Sequence, residues 1–217
     1  QLSIRFEDLN KIDSQTQEAI DFLVKQPGDF RIYSPSYSIS QFNAAAAGID
    51  IVSGIDPLQL QTYADFMEEA SGVPNDGYSV VLPPINGEIR IANKEYTPRA
   101  DLLAKLNVRF IIATYPILAN DLTLVWNKED TFIYEISGNS GIAWGLTSDL
   151  DGEGSVTIDK IVENSPHKKS FIVTGPGNLV LSMPSYPGWV ASLDGERISS
   201  EKYRELFPSI NIPDDTH

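Results

Sequence analysis

The chain has 217 residues, 41% of them hydrophobic and 10% aromatic, which is enough apolar material for a packed core and excludes a disordered chain. Lys and Arg number 16 against 30 Asp and Glu, a formal net charge of -14, so the surface repels phosphates and nucleic acid is excluded as a partner. The absence of cysteine removes disulfides, thiolate metal sites and thiol nucleophiles.

No apolar run approaches the ~20 residues that cross a bilayer. The chain opens on Gln1 without an initiator Met or a signal-peptide pattern and stops abruptly at His217. It reads as a water-soluble piece of a longer protein.

In chain order, Ser14 with Gln17 makes a capping box, and Ala19, Ile20, Leu23 and Val24 recur at helical spacing before Pro27-Gly28. Residues 30–34 predict a short strand. Gln41 to Ala47 predicts a helix stopped by Gly48. Asp56-Pro57 predicts a helix start, with Leu60, Tyr63, Ala64, Met67 and Ala70 on its apolar face and Gly72 as its stop. Tyr78 to Leu82 predicts a strand. Thr97-Pro98 repeats the cap-then-proline device ahead of Leu102, Leu103 and Leu106. Val108 to Ala113 is a near-continuous apolar run, as in a strand buried on both faces.

Beyond that run the period changes to two. Residues 122–126 and 132–136 flank Lys128-Glu129-Asp130 as a hairpin. Further strands are predicted over 155–159, 170–174, 178–183 and 189–193, the last turning at Asp194-Gly195. The expected fold class is α+β. A mixed α/β layer over 1–120 is followed by an antiparallel β-sandwich over 121–217, and strands of the two halves can share one sheet.

Three stretches together resemble the YfhO family of bacterial membrane proteins, which are similar to C-type glycosyltransferases. Arg31-Ile32-Tyr33-Ser34 and then Gly54-Ile55-Asp56-Pro57-Leu58 with Tyr63 resemble the family's "RIYS" strand and "GYDPL…Y" segment. Leu102 to Ile112 is similar to "LLnVRYii". Leu179-Val180-Leu181-Ser182 through Tyr186-Pro187-Gly188-Trp189 to Asp194-Gly195 is similar to "lvls…yYPGW…vDG". After residue 136 the family has an "ENP…LPRA" segment, where this chain has Ser137 to Trp144.

The resemblance implies a domain on the extracytoplasmic face of a bacterial plasma membrane, attached to a transmembrane part of the same protein. It also implies a role in glycosylating cell-envelope polymers with polyprenyl-phosphate sugars. The family's catalytic acid lies near the N-terminus, outside this chain, so the piece is expected to be non-catalytic and to need no cofactor. Its expected partners are that transmembrane part and a cell-envelope glycan. The alternative is a structural or protein-interaction module that binds no glycan.

The candidate glycan contacts are Tyr186 and Trp189, since aromatic faces suit sugar rings, with Arg31 and Asn43 as further candidates. Tyr37, Trp126 and Trp144 are additional aromatic candidates. Asp149, Asp151 and Glu153 alternate as oxygen ligands can around Ca²⁺. Lys160 stands where an EF-hand loop needs its bidentate Glu, so a tight acidic turn is the expected role. His167 lies in a polar turn without visible catalytic partners, and no serine carries a nucleophile-elbow pattern. Asp56 occupies the expected helix start and would repel a phosphate there.

Overall fold

The computed structural model describes residues 14–146 and 156–217. Helix α1 (Ser14–Val24) buries Ala19, Ile20 and Leu23, the face set by the helical period. Strand β1 (Arg31–Tyr33), helix α2 (Gln41–Ala46) and strand β2 (Asp50–Ile51) follow. Ser40 caps α2 by accepting a hydrogen bond from the Asn43 amide. Next come β3 (Gly54–Ile55), α3 (Gln61–Ser71), β4 (Val81–Leu82), a turn of 3₁₀ helix (Ile89–Ile91), α4 (Ala100–Lys105) and β5 (Val108–Ala113). Strands β6 (Leu122–Lys128) and β7 (Thr131–Ile136) form the hairpin.

The remaining strands are β8 (Ala143–Leu146), β9 (Thr157–Asn164), β10 (Lys169–Thr174), β11 (Gly177–Leu181), β12 (Ala191–Leu193), β13 (Glu196–Ile198), β14 (Glu201–Tyr203) and β15 (Phe207–Ile212). The fold is mixed α/β, with antiparallel strands in several sheets.

Among the described residues, one sheet has five strands in the order β2-β1-β5-β7-β6. Its β1 pairs in parallel with both β2 and β5, while β7 is antiparallel to β5 and to β6. The sheet therefore crosses residue 120: the hairpin after it completes the sheet begun before it. Both faces are covered. Ile32, Phe110, Ile112 and Ile133 pack with α1 and Ala44 of α2. Tyr33, Ile111, Ala113, Tyr134 and Ile136 share a second cluster with α3 and α4. This is why Val108 to Ala113, broken only by Arg109, reads as a near-continuous apolar run rather than an alternating one.

A second sheet runs β14-β15-β11-β8, all antiparallel. Its two faces also divide by alternation. Val180, Phe207, Trp144 and Leu146 join the cluster of α3 and α4. Leu179, Leu181, Ala143 and Ile212 face the other way, with Val156, Ile158, Phe171 and Val173 of the β9–β10 segment. Helices α3 and α4 thus share one apolar cluster with both sheets. Gly145 is where β8 meets that segment most closely. A Cβ there would run into the Val156 carbonyl, so no side chain fits.

Some expected boundaries move. Asp56 does not cap a helix: its Oδ1 accepts from the Leu58 amide at 2.8 Å, closing a local turn. Helix α3 starts at Gln61, with Leu60 at the cap position and no side-chain cap bond. The short Asx side chain favours the nearby turn over a helix several residues on. Gly72 ends α3 as expected, at φ 74°, a left-handed position that suits glycine. Thr97 is likewise not the cap of α4, which begins at Ala100 after Arg99. The predicted strands over 78–82 and 189–193 shorten to Val81–Leu82 and Ala191–Leu193. Among the described residues, no helix is long and apolar enough to cross a membrane.

Candidate functional site: a groove at the junction of the two sheets

Arg31 opens β1 and is held from three directions. Its amide donates to the Asn107 carbonyl at 2.8 Å. Its Nη1 donates to the Leu106 carbonyl at 3.0 Å and to the Ser182 carbonyl at 2.6 Å. The first acceptor lies at the end of α4 and the second just past β11, so one guanidinium spans the first layer and the second sheet. Asn107 takes the left-handed position after α4 at φ 61° and donates from Nδ2 to the Asp29 carbonyl at 3.0 Å. The loop that presents Arg31 is thereby anchored. A guanidinium has five N–H donors, and Nε and Nη2 have no partner among the described residues.

Three clefts adjoin in a row, and this residue lines the first two. The first, of about 270 Å³, is lined by Arg31, Gln41, Ser53, Gln59, Tyr63 and Tyr186, among others. The second, of about 770 Å³, is lined by Asp29, Arg31, Asp50, Lys169, Tyr186 and Trp189, among others. The third, of about 600 Å³, takes in Trp189, Lys169 and Met183 together with His167, Asp194 and His217. Arg31, Pro184 and Tyr186 are common to the first two clefts. Lys169, Met183 and Trp189 are common to the second and third.

The segment after β11 sets the aromatic rings. Ser185 donates its amide to the Leu206 carbonyl at 2.7 Å, which ties the segment to the second sheet. Gly188, at φ 101°, then turns the chain toward Trp189. Tyr186 stays 42% exposed and Trp189 37% exposed, so neither ring is consumed by the core. Each keeps a face that an apolar sugar surface can cover.

The polar wall of the second cleft comes from separate elements. Asn164 and Lys169 are paired positions of the β9–β10 hairpin. Asn164 Nδ2 donates to Asp29 Oδ2 at 2.9 Å, and Lys169 Nζ donates to Asn164 Oδ1. Burial holds the Lys169 ammonium below its usual pKa. Nearby Arg31 acts in the same direction, and Asp50 and Asp29 oppose both. In the first cleft, burial pushes the Tyr63 phenol well above its usual value, and its hydroxyl donates to the Val52 carbonyl at 2.7 Å. Ser53 Oγ and Gln59 Oε1 are buried and find no hydrogen-bond partner among the described residues.

The structure brings Arg31, Tyr186 and Trp189 together and leaves Asn43 out. Asn43 sits on α2 and lines none of these clefts, whereas Gln41 of the same helix does. Two residues along a helix turn the side chain by about 200°, which separates them. Trp144 packs edge-on to Phe207 at 5.5 Å, and Trp126 lies 6.3 Å from Phe22. Tyr37 donates to the Pro83 carbonyl at 3.0 Å. None of these three lines the clefts. His167 is exposed in the β9–β10 turn, and His217 Nδ1 lies 2.8 Å from Asp194 Oδ2.

Asp149, Asp151 and Glu153 lie outside the described residues. Among the described residues, no group of three His, Asp or Glu side chains is placed to hold a metal. Ser53, Gln59, Asp50, Asn164 and Lys169 carry no local signature, because the groove assembles them from two stretches, residues 50–59 and 164–169, that lie far apart in the chain.

Half-exposed aromatic rings beside fixed carboxylate, amide and cationic groups can cover a ring face and bond hydroxyls at its rim. In comparisons with known proteins, the chain matches no family model, no curated sequence and no solved structure.

Proposed function

We propose that this chain is an extracytoplasmic, non-catalytic accessory domain of a membrane glycosyltransferase-like protein of the YfhO type. Its task is to hold a cell-envelope glycan for the membrane-embedded part. One observation carries the reading: Tyr186 and Trp189 flank a cleft of about 770 Å³ with their rings still partly open to solvent. The sequence resemblance supports the membrane context. In this reading the second sheet and the β9–β10 hairpin, which share an apolar cluster, act as the β-sandwich of the C-terminal half.

The test is glycan-array binding by this chain, its Tyr186→Ala and Trp189→Ala variants, and Asn43→Ala as a control. Binding lost in the first two and kept in the control is the expected result. An array with no bound glycan refutes the reading.

A second reading, docking on the transmembrane part of the same protein, draws on an exposed apolar patch that borders the first cleft at Ile55. Phe42, Ile55, Leu58 and Tyr78 are exposed there, Leu58 at 86%. The Gln41 side chain accepts from the Ile55 amide at 3.0 Å, and the Tyr78 hydroxyl donates to the Pro57 carbonyl at 2.6 Å, so these residues form one neighbourhood. Charged replacements at Leu58 and Tyr78 that leave glycan binding intact but release the domain from the membrane part would establish it.

A further inference from the structure

The three clefts are neighbours. The first and second meet at Arg31 and Tyr186, and the second and third meet at Lys169 and Trp189. An aromatic ring therefore stands at each junction. We propose that the clefts form one continuous groove for a linear, uncharged glycan chain, with the chain crossing Tyr186 and Trp189 and a sugar unit in each cleft. This rests on the glycan-binding reading above and extends it from a sugar to a polymer segment of at least three units.

Charge argues for an uncharged ligand. The protein as a whole carries -14, and its long-range field opposes a polyanion. Within the second cleft the charged residues balance: Arg31 and Lys169 against Asp29 and Asp50. The first cleft adds only Asp56 to the shared Arg31, and the third adds Lys168 and Asp194 to the shared Lys169, so the three clefts together set three cations against four carboxylates. Such a wall offers donors and acceptors in near-equal measure, which suits hydroxyls rather than phosphates or carboxylates.

The first cleft carries the independent sign of a ligand. Ser53 is 3% exposed, yet its hydroxyl makes no hydrogen bond among the described residues, and Gln59 Oε1, on a residue that lines the same cleft, is likewise unpaired. Buried polar atoms in folded proteins are nearly always paired. A serine hydroxyl has three staggered positions, and an unmade bond leaves nothing to hold it in the present one. A sugar hydroxyl entering the first cleft gives both atoms a partner.

The experiment measures affinity of the full chain for uncharged hexose and N-acetylhexosamine oligosaccharides of one to six units, with uronate oligosaccharides of equal length as the charged arm. Affinity is expected to climb up to three units or beyond and then level off, with the uronate series weaker. Ser53→Ala is expected to fold at least as stably as the parent, since it deletes an unpaired buried group. It should weaken oligosaccharides by about three- to tenfold, the worth of one neutral hydrogen bond.

Trp189→Ala should flatten the length dependence, and Trp189→Phe should retain part of it. Equal affinity for one unit and six, or tighter binding of uronates, overturns the continuous uncharged-chain groove while leaving the glycan-binding reading standing. Absence of binding at every length overturns both.

Discussion

Replacing Phe207 with Ala tests whether the two halves of the chain stand or fall together. Phe207 is fully buried at the start of β15. Its ring meets Phe66 of α3 edge-on at 5.1 Å and Trp144 of β8 at 5.5 Å. Deleting a buried Phe ring costs about 3–5 kcal/mol, and aromatic pairs of this geometry contribute about 0.5–1.5 kcal/mol each, so the upper part of that range applies.

With a loss of about 4 kcal/mol and a urea slope of about 2 kcal/mol/M, the unfolding midpoint should fall by about 2 M. The thermal midpoint should fall by about 8–16 °C for a domain of this size. Because the ring touches both α3 and β8, tryptophan fluorescence and far-UV circular dichroism should shift together as one transition. Phe207→Leu, which keeps most of the volume but loses both aromatic pairs, should cost less than Phe207→Ala, about 1–3 kcal/mol. A midpoint shift for Phe207→Ala below about 0.5 M, or a split in which only one signal moves, would refute the idea that α3 and the second sheet share one core.

Gly145→Ala should lower the urea midpoint as well, because the new methyl displaces the Val156 carbonyl; a neutral result would mean the two segments stand further apart. Arg31→Met strips the charged donor from the Leu106 and Ser182 carbonyls and should cost about 2–3 kcal/mol in urea unfolding while also weakening glycan binding; unchanged stability would show the clamp is idle.

Alkaline stability follows from four tyrosines. Burial holds Tyr33, Tyr37 and Tyr63 well above the usual phenol value and pushes Tyr115 up to about 12. The folded state keeps those protons while the unfolded chain releases them near pH ~10, so stability is intact below ~10 and lost as pH rises toward ~12 and beyond. Urea midpoints that stay flat across that window, with phenolate absorbance rising before unfolding, would contradict it.

Much of the first sheet was readable from residue order. The apolar run Val108 to Ala113 and the period-two segments after residue 122 are local patterns, and local patterns report which faces a segment must bury. Helix bodies were readable for the same reason, from positions such as Ala19, Ile20 and Leu23. The starts of α1 and α2 were read to within a residue, but those of α3 and α4 were not. Asp56 and Thr97 each carry a capping signal, but a side chain three to five residues from the observed helix start has other backbone partners within reach.

The strands β2, β3, β8 and β14 went unrecognised because they are two to four residues long, too short to show a period, and β15 because Pro208 interrupts its strand pattern. Tyr186 and Trp189 stood out by type and spacing. Asn43, a lesser candidate alongside Arg31, lies away from the groove.

By itself, the amino-acid order determined that the chain mixes helices and strands, that it repels polyanions, and that a Tyr-Pro-Gly-Trp turn follows a buried strand. Each of these is a property of neighbouring residues or of total charge. Only the tertiary structure decided that the hairpin after residue 120 joins the earlier sheet and that Arg31 bridges to Ser182, 151 positions away. It also decided that Ser53, Lys169 and Trp189 line adjoining clefts. Such pairings come from burying the faces of separate elements against one another, and nothing within a few residues of any partner encodes them.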